Sequence, residues 1–164
     1  MVLKTKSGDS FIIDKSDYSL IKDYSYGTHK IEYKTYQMKY VACFNGSDKE
    51  LLHRIIMNPK DGFIIDHIDH NGLNNKRENL RICTYSNNQA NRKPSNLTSK
   101  YKGVSRAADK YTTVLWRAQI TKDGKCYNLG RFDNEIDAAL AYDKKAIDLH
   151  GEEFSLTNKD LGLI

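Results

Sequence analysis

The chain has 164 residues, 39% of them hydrophobic and 29% charged, with a formal net charge of +5. That size holds one ordinary domain or two small ones, and no run approaches the roughly 18 consecutive apolar residues of a membrane helix. With no basic-then-apolar leader of the secretory kind, the expectation is a soluble, intracellular protein with no membrane partner. Cys43, Cys83 and Cys126 stand singly in strand-like apolar settings. Without paired spacing they predict no zinc site and no disulfide framework, and are read as reduced packing residues.

Residues 1–50 mix short β-prone runs, Phe11-Ile12-Ile13 and Tyr40-Val41-Ala42-Cys43, with polar turns at Lys6–Asp9 and Asn45–Asp48. They read as a small β-rich lead-in. Leu51 to Met57 predicts a short helix that buries Leu51, Leu52, Ile55 and Ile56 and ends at Pro59. Phe63 to His67 is an apolar strand ending in two ionisable residues, followed by the polar loop Ile68–Asn75 and a second strand, Leu80–Thr84. Ser86 is placed to cap a helix over Asn87–Arg92. Residues 51–93 therefore read as a strand, loop, strand and helix, a ββα unit, and 94–99, with Pro94, Ser95 and Asn96, as a linker.

Charge is concentrated where these two segments meet. From Lys76 to Arg106, eight basic residues face the single acid Glu78, a local charge of +7 against +5 for the whole chain. A basic run is either a solvated face or a surface that tracks phosphates, and its place between two candidate nucleic-acid readers favours the latter. Arg77, Arg81, Arg92 and Lys93 are its candidate contacts.

From residue 100 to 158 the pattern is three strands and a helix: Lys102–Arg106, Val114–Thr121 and Lys125–Arg131, with turns at Ala107–Lys110 and Lys122-Asp123-Gly124. Asn134 can cap a helix running to about Leu149, where Gly151 stops it, with Ala138, Ala141, Tyr142, Ala146 and Leu149 on one face. Residues 159–164 form a tail. The fold class expected is α+β: the β-rich N-terminal region leading into the ββα unit, then a separate three-stranded antiparallel sheet packed on one helix.

The ββα unit carries the chemistry of phosphodiester hydrolysis, which needs a base for water and a cation for the charge that develops on oxygen. Hard cations keep several waters and accept few protein oxygens, so the Asp66 carboxylate and the Asn88 amide suffice if the helix packs across the strands. Strand alternation turns His67 away from Asp66, to act on the water from another side; a neutral imidazole near pH 7 suits that role. Asp69, Asn71, Gly72 and Glu78 fall at places of a calcium-loop pattern, but His67 holds its first position and the flanks read as strands. A zinc site at His67 and His70 lacks further ligands at suitable spacing. The bland alternative is a catalytically dead ββα fold whose loop residues satisfy one another. His53 reads as helix packing ahead of phosphate contact, and His29 and His150 as incidental.

Leu52-His53-Arg54, Asp66-His67-Ile68-Asp69, Asn79-Leu80-Arg81 and Thr84–Asn91 resemble the HNH endonucleases of the ββα-metal group, particularly the homing endonucleases of phages and mobile introns. The resemblance implies His67 as general base, Asp66 and Asn88 as ligands of one divalent ion, Mg²⁺ or Mn²⁺, and Asn79 as organiser of the loop, with no structural zinc. Asn88 stands where many members carry a closing histidine, matching an asparagine-ligated subgroup. It also implies a cytoplasmic setting in a bacterial or phage-infected cell. Tyr101–Val104, Trp116-Arg117-Ala118, Leu129–Phe132 and Ala138–Asp143 resemble the APETALA2-type DNA-binding domain, in which the sheet enters the major groove. That resemblance implies Lys102, Arg106, Arg117, Gln119 and Arg131 as outer-face contacts. Ser105 and Asn128 depart from the pattern, and Trp116 reads equally as a packed or a groove-facing ring. The combined expectation is a double-stranded-DNA endonuclease, monomeric or assembled as a homodimer on DNA. Its rivals are a non-catalytic DNA-binding regulator and, less favoured, a structured-RNA binder.

Overall fold

Alternating exposure along Ser10–Ile13 turns Phe11 and Ile13 inward, and both are fully buried. In the computed structural model, which describes residues 1–33, 36–94, 98–108 and 114–164, this strand starts a core that runs through the first of two compact units, Met1–Thr84 and Tyr85–Ile164. The architecture of both is mixed α and β.

In chain order the first unit contains β1 (Val2–Lys4), β2 (Ser10–Ile13), α1 (Tyr18–Ile21), β3 (Ser25–Glu32), β4 (Gln37–Asn45), β5 (Asp48–Leu51), α2 (Leu52–Met57), β6 (Ile64–His67), β7 (Asn74–Asn75) and β8 (Leu80–Cys83). β3, β4 and β5 form an antiparallel meander, β6 pairs antiparallel with β8, and β2 joins β1 antiparallel and β7 parallel. Val41 and Cys43 of β4, Leu52 and Ile56 of α2, Ile65 of β6 and Leu80 of β8 close on Phe11, Ile13 and Ile21. Residues 1–50 thus share one core with the strands that carry Asp66 and His67. Pairing through β7 also ties the loop after His67 to β2, at Ile12↔Asn74 and Ile13↔Asn75.

The second unit begins with α3 (Tyr85–Ala90), followed by β9 (Val104–Ala108), β10 (Val114–Lys122), β11 (Lys125–Phe132) and α4 (Glu135–His150). Ser86, expected to cap α3, lies inside it, and its hydroxyl accepts from the Asp123 amide at 3.2 Å. α3 is anchored within this unit: Asn87 Oδ1 lies 3.1 Å from His150 Nδ1, and the Ala90 carbonyl accepts from the Leu156 amide and from Lys102 Nζ. The sheet has the order β11-β10-β9, and α4 lays Ala138, Ala139, Tyr142 and Ala146 against Val104, Ala118 and Ile120. Asn134 caps α4 as expected, its Oδ1 accepting from the Ile136 amide at 2.8 Å. Gly103 has φ 73°, and a Cβ there would meet the Tyr142 ring at 1.8 Å, so only glycine fits.

The linker expected at 94–99 and the turn at Ala107–Lys110 fall partly outside the described residues. Of the cysteines, Cys43 and Cys83 are buried as expected, whereas Cys126 is exposed on β11. No helix among the described residues is long and apolar enough to cross a membrane.

Candidate active site and nucleic-acid surface

The register of β6 on β8 sets Asp66 opposite Arg81 and His67 opposite Leu80. Paired residues share a face of the ribbon, so Asp66 and Arg81 lie on one side and His67 on the other. Both Nε and Nη2 of Arg81 donate to Oδ2 of Asp66, at 2.9 and 2.7 Å, and both side chains are about nine-tenths buried, at 10% and 8% exposed. A carboxylate held this deep needs a cationic partner, and Arg81 is one.

His67 is buried beside the rings of His53 and Tyr40. Its ring centroid lies 5.0 Å from His53 and 5.7 Å from Tyr40, and Tyr40 lies 5.6 Å from His53. Nε2 of His67 is 3.4 Å from Oδ1 of the fully buried Asn75. Burial pulls the His67 pKa below the ordinary histidine value, against raising contributions from Asn75, Asp69 and Asp66. Burial takes His53 further, to about 3, helped by His67 and Arg54. Both imidazoles are therefore neutral at pH 7, the form a general base requires.

The loop between β6 and β8 is tied by amides. Asn79 Oδ1 accepts from the Asp69 amide at 3.0 Å, while its Nδ2 donates to Asp69 Oδ1 and to the Asn74 carbonyl at 2.9 and 2.8 Å. Asp69 also accepts from Asn71 N at 2.8 Å and Asn74 Nδ2 at 2.7 Å. Burial alone would raise the Asp69 pKa, but the bonds from Asn74, Asn71 and Asn79 outweigh it and lower the value. Its carboxylate thus serves the loop's own geometry.

No group of three or more His, Cys, Asp or Glu side chains among the described residues could hold a metal ion. A soft or carboxylate-rich centre is absent there. Asp66 in the first unit offers a carboxylate, and Asn88, on the half-buried first turn of α3 in the second unit, offers an amide; each is a hard oxygen donor.

The candidate nucleic-acid contacts separate into several kinds. Arg77 is bound to the buried Asp17 through Nε and Nη2, at 2.9 and 2.7 Å, and Nη2 also donates to the Ile56 carbonyl. Lys102 is a correction: expected outside, it is buried, with Nζ donating to the carbonyls of Ala90 and Leu156. The physical reason is that β9 starts at Val104, and the turn at Gly103 sends Lys102 inward. Arg106 is exposed, but it pairs with Trp116, whose ring packs against the core, so its side chain leaves from the helix-side face. Trp116 takes the packed reading. Arg117 and Arg131 are directly paired and exposed on the outer face, with Ser105 beside Arg117. Gln119 and Asn128, paired past a bulge, continue that face as half-buried and exposed amides. Arg92 is half-buried and Lys93 exposed.

Sequence reasoning missed Tyr40 and Asn75. Neither carries a local signal: Tyr40 sits mid-strand and Asn75 in a run of turn-forming amides.

A family model of HNH endonucleases matches residues 50–90, the span that holds Asp66, His67, Asn79 and Asn88. An uncharacterised HNH endonuclease of Acanthamoeba polyphaga mimivirus is 31% identical over 95% of this chain and 88% of its own length. The chain belongs to the HNH endonuclease family. Protein 3.8 of Escherichia phage T7 is 36% identical over 56% of this chain and 73% of its own. No solved structure matches this chain.

Proposed function

We propose that this HNH nuclease is a metal-dependent, homing-type DNA endonuclease in which His67 is the general base, Asp66 and Asn88 hold one Mg²⁺ or Mn²⁺, and an APETALA2-type C-terminal sheet holds the duplex. The observation that carries this reading is the β6 arrangement, with an anionic oxygen donor on one face and a burial-neutralised imidazole on the other. When bound, a divalent ion supplies positive charge for the scissile phosphate and the leaving oxygen. His67 takes the proton of the attacking water, and Asn79 keeps the loop beside it in shape. The outer face of the sheet supports the duplex-holding role. It presents Arg117, Arg131, Gln119 and Asn128, side chains able to reach phosphates and base edges. A viral and a phage relative fit a mobile nuclease.

The test is incubation of the purified chain with duplex DNA and Mg²⁺ or Mn²⁺. Cleavage is expected, abolished by EDTA, and lost in His67→Ala with duplex binding retained. Binding with no hydrolysis across several divalent ions and substrates would instead make the chain a recognition protein.

A further inference from the structure

A general base must present the right nitrogen as well as the right charge. For a neutral histidine, the partner of one ring nitrogen decides which nitrogen is free. In this chain the partner is Asn75, whose orientation is itself determined. Its Nδ2 donates to the Gly72 carbonyl at 3.3 Å, which leaves Oδ1 facing Nε2 of His67. An amide oxygen only accepts, so the proton of that contact belongs to Nε2.

Gly72 is fixed in turn. A Cβ on it would lie 2.3 Å from the Lys39 carbonyl and 2.6 Å from the Tyr40 ring, so the loop sits against β4 as closely as backbone allows. Pairing of Asn75 with Ile13 anchors the other side. Asn75 engages Nε2, and Nδ1 of His67 makes no hydrogen bond among the described residues.

We propose that Asn75 is a positioning residue that fixes the proton on Nε2 of His67, making Nδ1 the nitrogen that faces the water to be activated. Holding one tautomer spares the reaction a proton shift before each turnover, and the rings of Tyr40 and His53 pack against the imidazole at 5.7 and 5.0 Å. This rests on reading His67 as the base.

The experiment is ¹⁵N-edited NMR of the histidine rings in the full-length protein at neutral pH, with His67 assigned by its loss in His67→Gln. Nε2 is expected as the proton-bearing nitrogen with a slowly exchanging N–H resonance, and Nδ1 as the unprotonated one. In Asn75→Leu, similar in shape but without the acceptor, that N–H resonance is expected to vanish into exchange. Cleavage by Asn75→Leu is expected to fall about tenfold or more, as when a partner that orients a functional histidine is removed, at unchanged duplex affinity. A proton on Nδ1 in the wild type, or an N–H resonance that persists unchanged in Asn75→Leu, overturns the proposal. The wild-type spectrum decides even if Asn75→Leu folds poorly. Full cleavage by His67→Ala would overturn the general-base reading instead and leave the tautomer result standing.

Discussion

Arg81 and Asp66 form a buried ion pair at the position proposed for the metal, so a bound ion would compete with Arg81 for one carboxylate. Removing Arg81 leaves Asp66 without two charge-assisted bonds, and such a loss costs about 1–3 kcal/mol or more. Arg81→Leu is therefore expected to lower the urea midpoint of the first unit. Added Mg²⁺ should restore more stability to the variant than to the wild type, because a divalent ion can take over the vacated charge. Equal responses to Mg²⁺ would argue against Asp66 as a ligand. Asp66 and His67 were legible in the sequence because ionisable residues at the end of an apolar strand stand out. Their partners were not. Asn75 looks like any turn residue, and the Arg77–Asp17 pair joins residues 60 positions apart in the chain, so a cation read as a phosphate contact is bound to a buried acid.

At the scale of elements, short-range signals gave the outline. The helix expected over Leu51–Met57 forms over Leu52–Met57, with the half-buried Leu51 ending β5, and the strands at Ile64–His67 and Leu80–Cys83 and the Asn134-capped α4 appear within a residue or so of where periodicity and caps place them. Direction of side chains depended on strand starts that no local pattern marks, and Lys102 shows the consequence. Its burial lowers its pKa from 10.5 to about 8, only partly opposed by Asp143 and Asp160. Between those values the unfolded chain holds a proton that the folded chain releases, so this group's contribution to stability grows as pH rises from about 8 to about 10.5 and is lost as pH falls through 8. Thermal melts at pH 7.5 and pH 10 should show Lys102→Met gaining less, or losing more, than the wild type over that interval. Identical pH responses would mean that the ammonium is better paired than its burial implies. Gly103→Ala is expected to destabilise the second unit by more than about 2 kcal/mol, since it adds strain at φ 73° to a clash with Tyr142.

For the whole molecule, the exposed Arg117–Arg131 pair replaces Lys102 as the centre of the proposed duplex contact. Each phosphate contact contributes about 0.9 to the slope of log affinity against log salt. Arg117→Ala with Arg131→Ala should therefore flatten that slope by up to about 1.8 and weaken binding, while a retained slope would move the contact elsewhere. Cleavage should survive at low salt, because the β6 chemistry lies in the other compact unit. One Asp66-His67 site per chain also predicts the strand count. A single pass of one base cuts one strand, so supercoiled plasmid should become open circle before any linear product forms. If two chains assemble on DNA, linear product should appear with a steeper than first-order dependence on protein concentration, and His67→Ala mixed with wild type should convert double-strand cuts to nicks. Linear product that forms first and scales linearly with protein would require a second cutting site within each chain.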